Sequence, residues 1–263
     1  MSVERRVRVG LRTVVLAYLG ILLLVPVGLV FYRTFEHGLV PVWQSITTPA
    51  AVHAFWLTIE IALIAVPLNT IFGVITALAL VRGRFRGKTV VDAVVSLPFA
   101  LSPVVIGLAL LLVFGRGGWL SLPFQVIFAV PGMVLATVFV SLPFVVREVV
   151  PVLREVGDEQ EQAAATLGAS RWQVFWRITL PAIRWGVAYG VVLTTARAIG
   201  EFGAVSVVSG RIAGQTQTLT LLVEQRFQNF DLAGAYAASA LLGVIAIATL
   251  LAMTLLKPRK DEA

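Results

Sequence analysis

Hydrophobic residues along this chain gather into long runs, separated by short polar and charged segments. Six runs stand out, at about 12–33, 54–81, 89–114, 126–147, 185–209 and 234–256. Each reaches the roughly 20 residues an α-helix needs to cross a hydrocarbon core. The pattern predicts an all-α polytopic membrane protein, one transmembrane domain over residues 1–263 with six spans. Runs longer than a minimal span predict tilted helices, broken ends or interfacial turns. The first run has a basic flank like a signal peptide, but it is too long for an h-region and lacks a small-residue cleavage pattern. It reads as span one.

Composition agrees: 58% of residues are hydrophobic and 13% charged, at a mean hydropathy of +0.91, far from soluble usage. The net charge of +7 raises nucleic-acid binding, which its distribution disfavours. Basic residues sit at Arg5, Arg6, Arg8 and Arg12, in the loop from Arg82 to Lys88, between Arg147 and Arg184, and in the tail from Lys257 to Lys260. These regions hold 16 of the 21 Lys and Arg residues. Positive charge flanking alternate inter-span segments places both termini in the cytoplasm by the positive-inside rule. Such a spread forms no single patch for nucleic acid. With no cysteine, disulfides and thiolate metal sites are excluded. His37 and His53 lack nearby ligand spacing and read as two interfacial histidines, so no metal or cofactor is expected in this chain.

The segment 151–185 has local grammar that a plain connection would not need. Asp158 followed by Glu161 reads as a capping pattern, and Ala163 to Ala165 are strong helix formers. Gly168 can supply a left-handed stop. Ser170 with Gln173 makes a second capping box, opening a helix with an apolar stripe at Trp172, Phe175, Trp176 and Leu180. Pro181 is expected to end that helix or turn it into the next span. Two short helices under the membrane could be an interfacial anchor or an element docking into a groove on a soluble partner.

The stretch "QAAATLGASRWQVFWRITLP" resembles the EAA loop of permease subunits of bacterial ABC importers. Ala163, Ala164, Gly168, Ile178, Leu180 and Pro181 match that signature, while Gln162 stands where the family carries Glu. "LPFALSPVVIGLALLLVFG", "PGMVLATVFVSLPFVVREVVPVL" and "RAIGEFGAVSVVSG" look like the oxyanion-importing branch. From about residue 54 onward the chain is most similar to permease subunits of sulfate/thiosulfate importers of the CysW type. The resemblance implies the type I importer permease architecture, with a coupling segment at 155–181 in which Gln162, Ala163, Ala164, Gly168, Ala169, Ser170, Ile178, Leu180 and Pro181 dock on an ATPase. It implies a second permease subunit of the CysT type, ATPase subunits that bind ATP and Mg, and an extracytoplasmic sulfate-binding protein. Molybdate or tungstate permeases share these features, and an ion-coupled anion transporter or channel remains the alternative from another class.

Few ionisable residues lie inside the spans: Glu60, Asp92, Arg197 and Glu201, with Arg33 and Arg147 at edges. Asp92 is expected to pair with the basic loop, and Glu60 to pair elsewhere or face a cavity. Arg197 and Glu201 fall one helical turn apart and should pair on one face. They read as a clamp beside the translocation path or as a contact for cargo, with Gly200 and Gly203 permitting close helix approach. So small a set makes a poor proton relay. An energised importer suits a dianion, whose entry against roughly 100 mV costs about 4.6 kcal/mol. No Walker motif is present, so this chain is not expected to hydrolyse ATP itself. Pro98 and Pro143 could kink their spans. In the polar segment 210–234, Leu219, Leu222, Val223, Phe227 and Phe230 form a helical stripe, read either as an interfacial helix or as a cap on the outer mouth.

Overall fold

Thr48 and Pro49 open the longest helix. The Thr48 hydroxyl accepts from the Ala51 N–H at 3.3 Å, and Pro49 takes a first-turn position where its missing N–H is not needed. The helix, α4 (Pro49–Arg82), has 34 residues and is about 51 Å long at 1.5 Å per residue. The computed structural model describes residues 3–120 and 122–255, and every regular element among them is helical. Before α4 come α1 (Val3–Leu19), a π-helical turn at Gly20–Leu24, α2 (Val25–Phe35) and the short α3 (Leu39–Ile46). After it follow α5 (Lys88–Ala100), α6 (Pro103–Phe114), α7 (Val130–Val156), α8 (Glu159–Thr166) and α9 (Arg171–Val174). A second π-helical turn, Phe175–Thr179, leads into α10 (Leu180–Ile199), then α11 (Gly203–Val208), α12 (Leu219–Gln228) and α13 (Leu232–Leu255).

Helices α4, α7 and α10 form the centre, with the most extensive packing between α7 and its two neighbours. They meet at Val145. A Cβ added to Gly73 of α4 would lie 2.7 Å from the Val145 Cβ, and one on Gly190 of α10 would lie 2.8 Å from its Cα. Only glycine lets three backbones approach so closely in a membrane bundle. Asn69 adds a buried polar tie between α4 and α7, donating to Ser141 Oγ at 2.8 Å and to the Val138 carbonyl at 3.1 Å. Helix α13 flanks α10 and α12, and α2 reaches the rest mainly through α13, where Thr34 donates to the Tyr236 carbonyl at 3.0 Å.

Five helices are long and apolar enough to cross a membrane, and the pair α5 and α6 makes a sixth if taken as one bent span. The pair departs from the expected straight run over 89–114, because the axes meet at 113°. Leu101 and Ser102 are extended (ψ 142° and 135°), as befits a residue before Pro103, whose ring excludes the helical region. The kink expected at Pro98 is thus displaced to the end of α5. The run at 126–147 is also corrected: its helix begins at Val130 and continues to Val156.

The fifth run differs at both ends. Helix runs without interruption from Arg171 to Ile199, so Pro181 neither ends a helix nor starts a new span. It sits in the first turn of α10, next to the wider π-helical turn that accommodates its missing donor. The helix breaks instead at residues 200–202 and resumes as α11. The last residue of the expected sixth span, 256, lies outside the described residues.

Candidate coupling segment and charged gate

At one end of the bundle, α8 and α9 form the expected helix pair, with one difference in how it is held. Asp158 makes no side-chain cap on α8, and Glu161 does not act as its capping partner. The Glu161 carboxylate instead accepts from Arg82 Nε at 3.0 Å and from the Thr179 hydroxyl at 2.9 Å. Arg82 also donates to the carbonyls of Leu153, at 3.1 Å, and Gly157. One guanidinium therefore ties the ends of α4 and α7 to α8, and Glu161 extends the tie to the π-helical turn before α10. Gln162, which resemblance places at the family's Glu, is exposed.

Helix α8 stops in a Schellman motif. Ala169 N–H donates to the Ala164 carbonyl at 3.0 Å, and Gly168 N–H to the Ala165 carbonyl at 3.1 Å. Gly168 has φ +85°, a left-handed conformation open to glycine at little cost. Ser170 and Gln173 then form a complete capping box, with bonds of 2.8 and 3.3 Å. The two caps fix the angle between α8 and α9. They leave Leu167 89% and Trp172 69% exposed, while Phe175 and Leu180 of the expected stripe pack inward. Gln162, Ala163, Gly168, Ser170 and Pro181 are exposed, and Ala164, Ala169, Ile178 and Leu180 half-buried.

Toward the opposite end, Arg197 Nη2 lies 2.7 Å from Glu201 Oε2. The pair forms, but not within one helix as expected: Arg197 is in the last turn of α10 and Glu201 in the break. Near-helical dihedrals at Gly200 (φ −87°, ψ 7°) carry the chain far enough to keep the spacing. Glu201 is buried and Arg197 half-buried. The contact is ionic, since Oε2 accepts no aligned hydrogen bond. Glu201 Oε1 accepts from the Ala204 N–H at 2.9 Å, placing negative charge at the start of α11, and the Glu201 carbonyl accepts from Thr220 of α12 at 2.9 Å. Thr58 of α4 accepts from the Leu219 N–H at 2.9 Å. Glu201 is thus the joint where α10, α11 and α12 meet.

Gly203 has the expected close approach: a Cβ there would lie 2.8 Å from the Pro103 Cβ of α6. Gly200 does not. The nearest atom to its added Cβ would be the carbonyl oxygen of Ala196, one turn back, at 3.4 Å. Its part is to end α10.

Asp92 pairs with Arg147 of α7 at 3.3 Å, correcting the expected pairing with the basic loop. Glu60 lies on the exposed face of α4 with no ionic or hydrogen-bond partner among the described residues. The stripe on 210–234 divides: Leu219 and Leu222 are buried in the bundle, whereas Phe227 and Phe230 are 61% and 88% exposed. Sequence reasoning missed Arg226, which donates to Ser45 Oγ at 2.7 Å, Thr48 Oγ1 at 3.1 Å and the Gly234 carbonyl at 3.1 Å. Burial pulls its pKa below the usual arginine value. Its place between Val223 and Phe227 in an apolar stripe was the available signal. A cavity of about 840 Å³ lies between the end of α6 and segment 115–128, away from the Arg197 pair.

Residues 69–262 match the family described as binding-protein-dependent transport system inner membrane component. A sulfate transport system permease protein CysW from Synechocystis sp. is 49% identical over 97% of this chain and 94% of its own length. The CysW protein of Escherichia coli (strain K12) is also 49% identical, over 97% of this chain and 88% of that protein. The CysT protein of the same organism is 40% identical over 90% and 86%. A bacterial ABC transporter involved in alginate import aligns at TM-score 0.78 over 98% of both chains, at 16% identity, which speaks to the fold alone.

Proposed function

The chain belongs to the binding-protein-dependent transport system inner membrane components, and on that premise we propose that it is the membrane-spanning permease subunit of an ATP-driven sulfate importer. The observation that carries this reading is the 49% identity to sulfate permeases over nearly the whole chain. A match to CysT as well as CysW supports a second, related permease subunit as companion, and a solved neighbour in complex with a periplasmic protein supports an extracytoplasmic sulfate-binding protein. Thiosulfate is proposed as an alternative cargo. The molybdate reading and the ion-coupled transporter or channel are not favoured, since family and relatives point to sulfate permeases of binding-protein-dependent systems.

In this reading the chain itself hydrolyses nothing. ATP and Mg belong to ATPase subunits that dock on the exposed surface of α8 and α9, around Gln162, Ala163, Gly168 and Trp172. Both termini and the α8 end lie in the cytoplasm, as the 16 of 21 basic residues on that side support. Movement of α8 and α9 passes along the unbroken helix from Arg171 to Ile199 and reaches Arg197 at its last turn. There the Arg197–Glu201 pair braces the break between α10 and α11 beside the path. A paired arginine attracts a dianion only weakly, which suits a path its cargo must leave. Competition experiments test the specificity: excess unlabelled sulfate should abolish ATP-driven uptake of labelled sulfate by the assembled complex, and equal molybdate should leave most of it. Preferential inhibition by molybdate would refute the sulfate assignment.

A further inference from the structure

One arginine on the exposed side of α7 is held differently from Arg82 and Arg226. Arg147 of α7 lies six residues before Leu153, whose carbonyl accepts from Arg82 at the end of α4, so it sits about 9 Å into the bundle from that level. Ser96 lies eight residues into α5, about 12 Å from its start. Arg147 donates to Ser96 Oγ and lies 3.3 Å from Asp92 Oδ1, with the Arg147 and Asp92 side chains 42% and 49% exposed. Charged groups at such depth face protein or water, not lipid.

The donor count separates Arg147 from the arginines that hold helices together. A guanidinium has five N–H donors. Those of Arg82 are engaged by Glu161 and the carbonyls of Leu153 and Gly157, and those of Arg226 by Ser45, Thr48, Gly234 and Asp231. Both arginines tie helices together, with side chains only 21% and 12% exposed. Among the described residues Arg147 meets only Ser96 and Asp92, and its exposed side chain keeps spare donors. Sulfate offers only acceptor oxygens, the complement of spare guanidinium donors. One turn further along the same two helices, Phe99 and Phe144 meet edge to face at 5.4 Å, an apolar collar on the side toward Arg197.

Resting on the sulfate-importer reading, we propose that Arg147, held by Ser96 and Asp92, is an oxyanion contact on the translocation path, nearer the α8 end than the Arg197–Glu201 gate. Ser96 fixes the guanidinium. Asp92 keeps the station close to neutral, so that the anion binds and leaves. The path then carries two arginines, each partnered by a carboxylate, at 2.7 and 3.3 Å.

The chain has no native cysteine, so within it Ser96→Cys reports on this station alone, with the complex lacking the substitution as the blank. It is probed in the complete complex, in inside-out vesicles, with membrane-impermeant thiosulfonates of either sign. The anionic reagent should react faster than the cationic one, and sulfate at about ten times its dissociation constant should slow it roughly tenfold by mass action. Asp92→Asn should lower both KM for sulfate and kcat, because a less balanced cation holds the anion longer. Reaction with a lipid-soluble maleimide alone, or an anionic rate unchanged by sulfate, would overturn the proposal. If Ser96→Cys does not assemble, Phe99→Cys one turn away serves with the same outcomes. ATP-driven sulfate uptake by the unaltered complex is the parallel control. Uptake without protection defeats this inference alone, whereas no sulfate uptake defeats the importer reading beneath it.

Discussion

Arg82 and Glu161 stand 79 positions apart in the sequence and 3.0 Å apart in the fold. Their contact fastens α8 to the end of α4, and Thr179 extends it to the π-helical turn that starts α10. From Trp172 the helix then runs about 38 Å to Arg197. The proposed coupling segment and the proposed gate are therefore two ends of one rod, and in that reading Arg82 holds the rod where an ATPase would push it.

Removing that hold should loosen the segment without unfolding the bundle. Arg82→Ala is expected to weaken α8 docking by about 1–2 kcal/mol, discounted because both side chains are partly exposed. ATPase co-purification and sulfate uptake should fall together. Glu161→Gln, which keeps an acceptor for Arg82, should retain more of both.

Gly168 offers a test by dihedral angle. At φ +85° a valine is strained by about 1–2 kcal/mol, while asparagine tolerates the left-handed region better. Gly168→Val should insert into the membrane but lose ATPase binding and uptake, and Gly168→Asn should keep most of both. Equal uptake from the two variants would remove the Schellman stop from the coupling mechanism.

Arg197→Ala and Glu201→Ala each strand one member of a partly buried ion pair and should impair assembly. The double variant should assemble better than either single one, as measured by size-exclusion recovery of the complex. Normal assembly of Arg197→Ala with loss of uptake alone would favour direct sulfate contact over bracing.

The two glycines beside that pair should behave differently. Gly203→Ala places a Cβ 2.8 Å from Pro103 and should destabilise the complex by about 1–3 kcal/mol through overpacking. Gly200→Ala meets only the Ala196 carbonyl oxygen, at 3.4 Å, and should leave the melting temperature nearly unchanged.

The contrast also marks what the sequence could convey. Apolar run length revealed the spans, and the spacing of Ser170 with Gln173 and of Arg197 with Glu201 announced local contacts, because each depends on residues within one turn. Glu161 was misread for the opposite reason: its neighbour Asp158 suggested a cap, while its partner Arg82 lies on a distant helix. The bend between α5 and α6 falls at Ser102–Pro103, a local signal in the sequence, and not at Pro98. Arg226 and Arg147 escaped because their roles depend on how many donors tertiary contacts leave unfilled, and periodicity carries no such count.

Orientation is open to labelling in the same cysteine-free background. Gln215→Cys, on an exposed turn, should react with an impermeant maleimide added outside intact cells. Thr166→Cys at the end of α8 should react only after the membrane is opened, and the reverse pattern would invert the proposed topology.

The most direct measurement is the initial rate of labelled sulfate entry into proteoliposomes holding this chain, its companion permease and the ATPase, with sulfate-loaded binding protein on the receptor side. Sulfate should accumulate above the external concentration with ATP present, and Arg82→Ala should slow that accumulation. Sulfate flux that proceeds equally without ATP, or through this chain alone, would contradict the account.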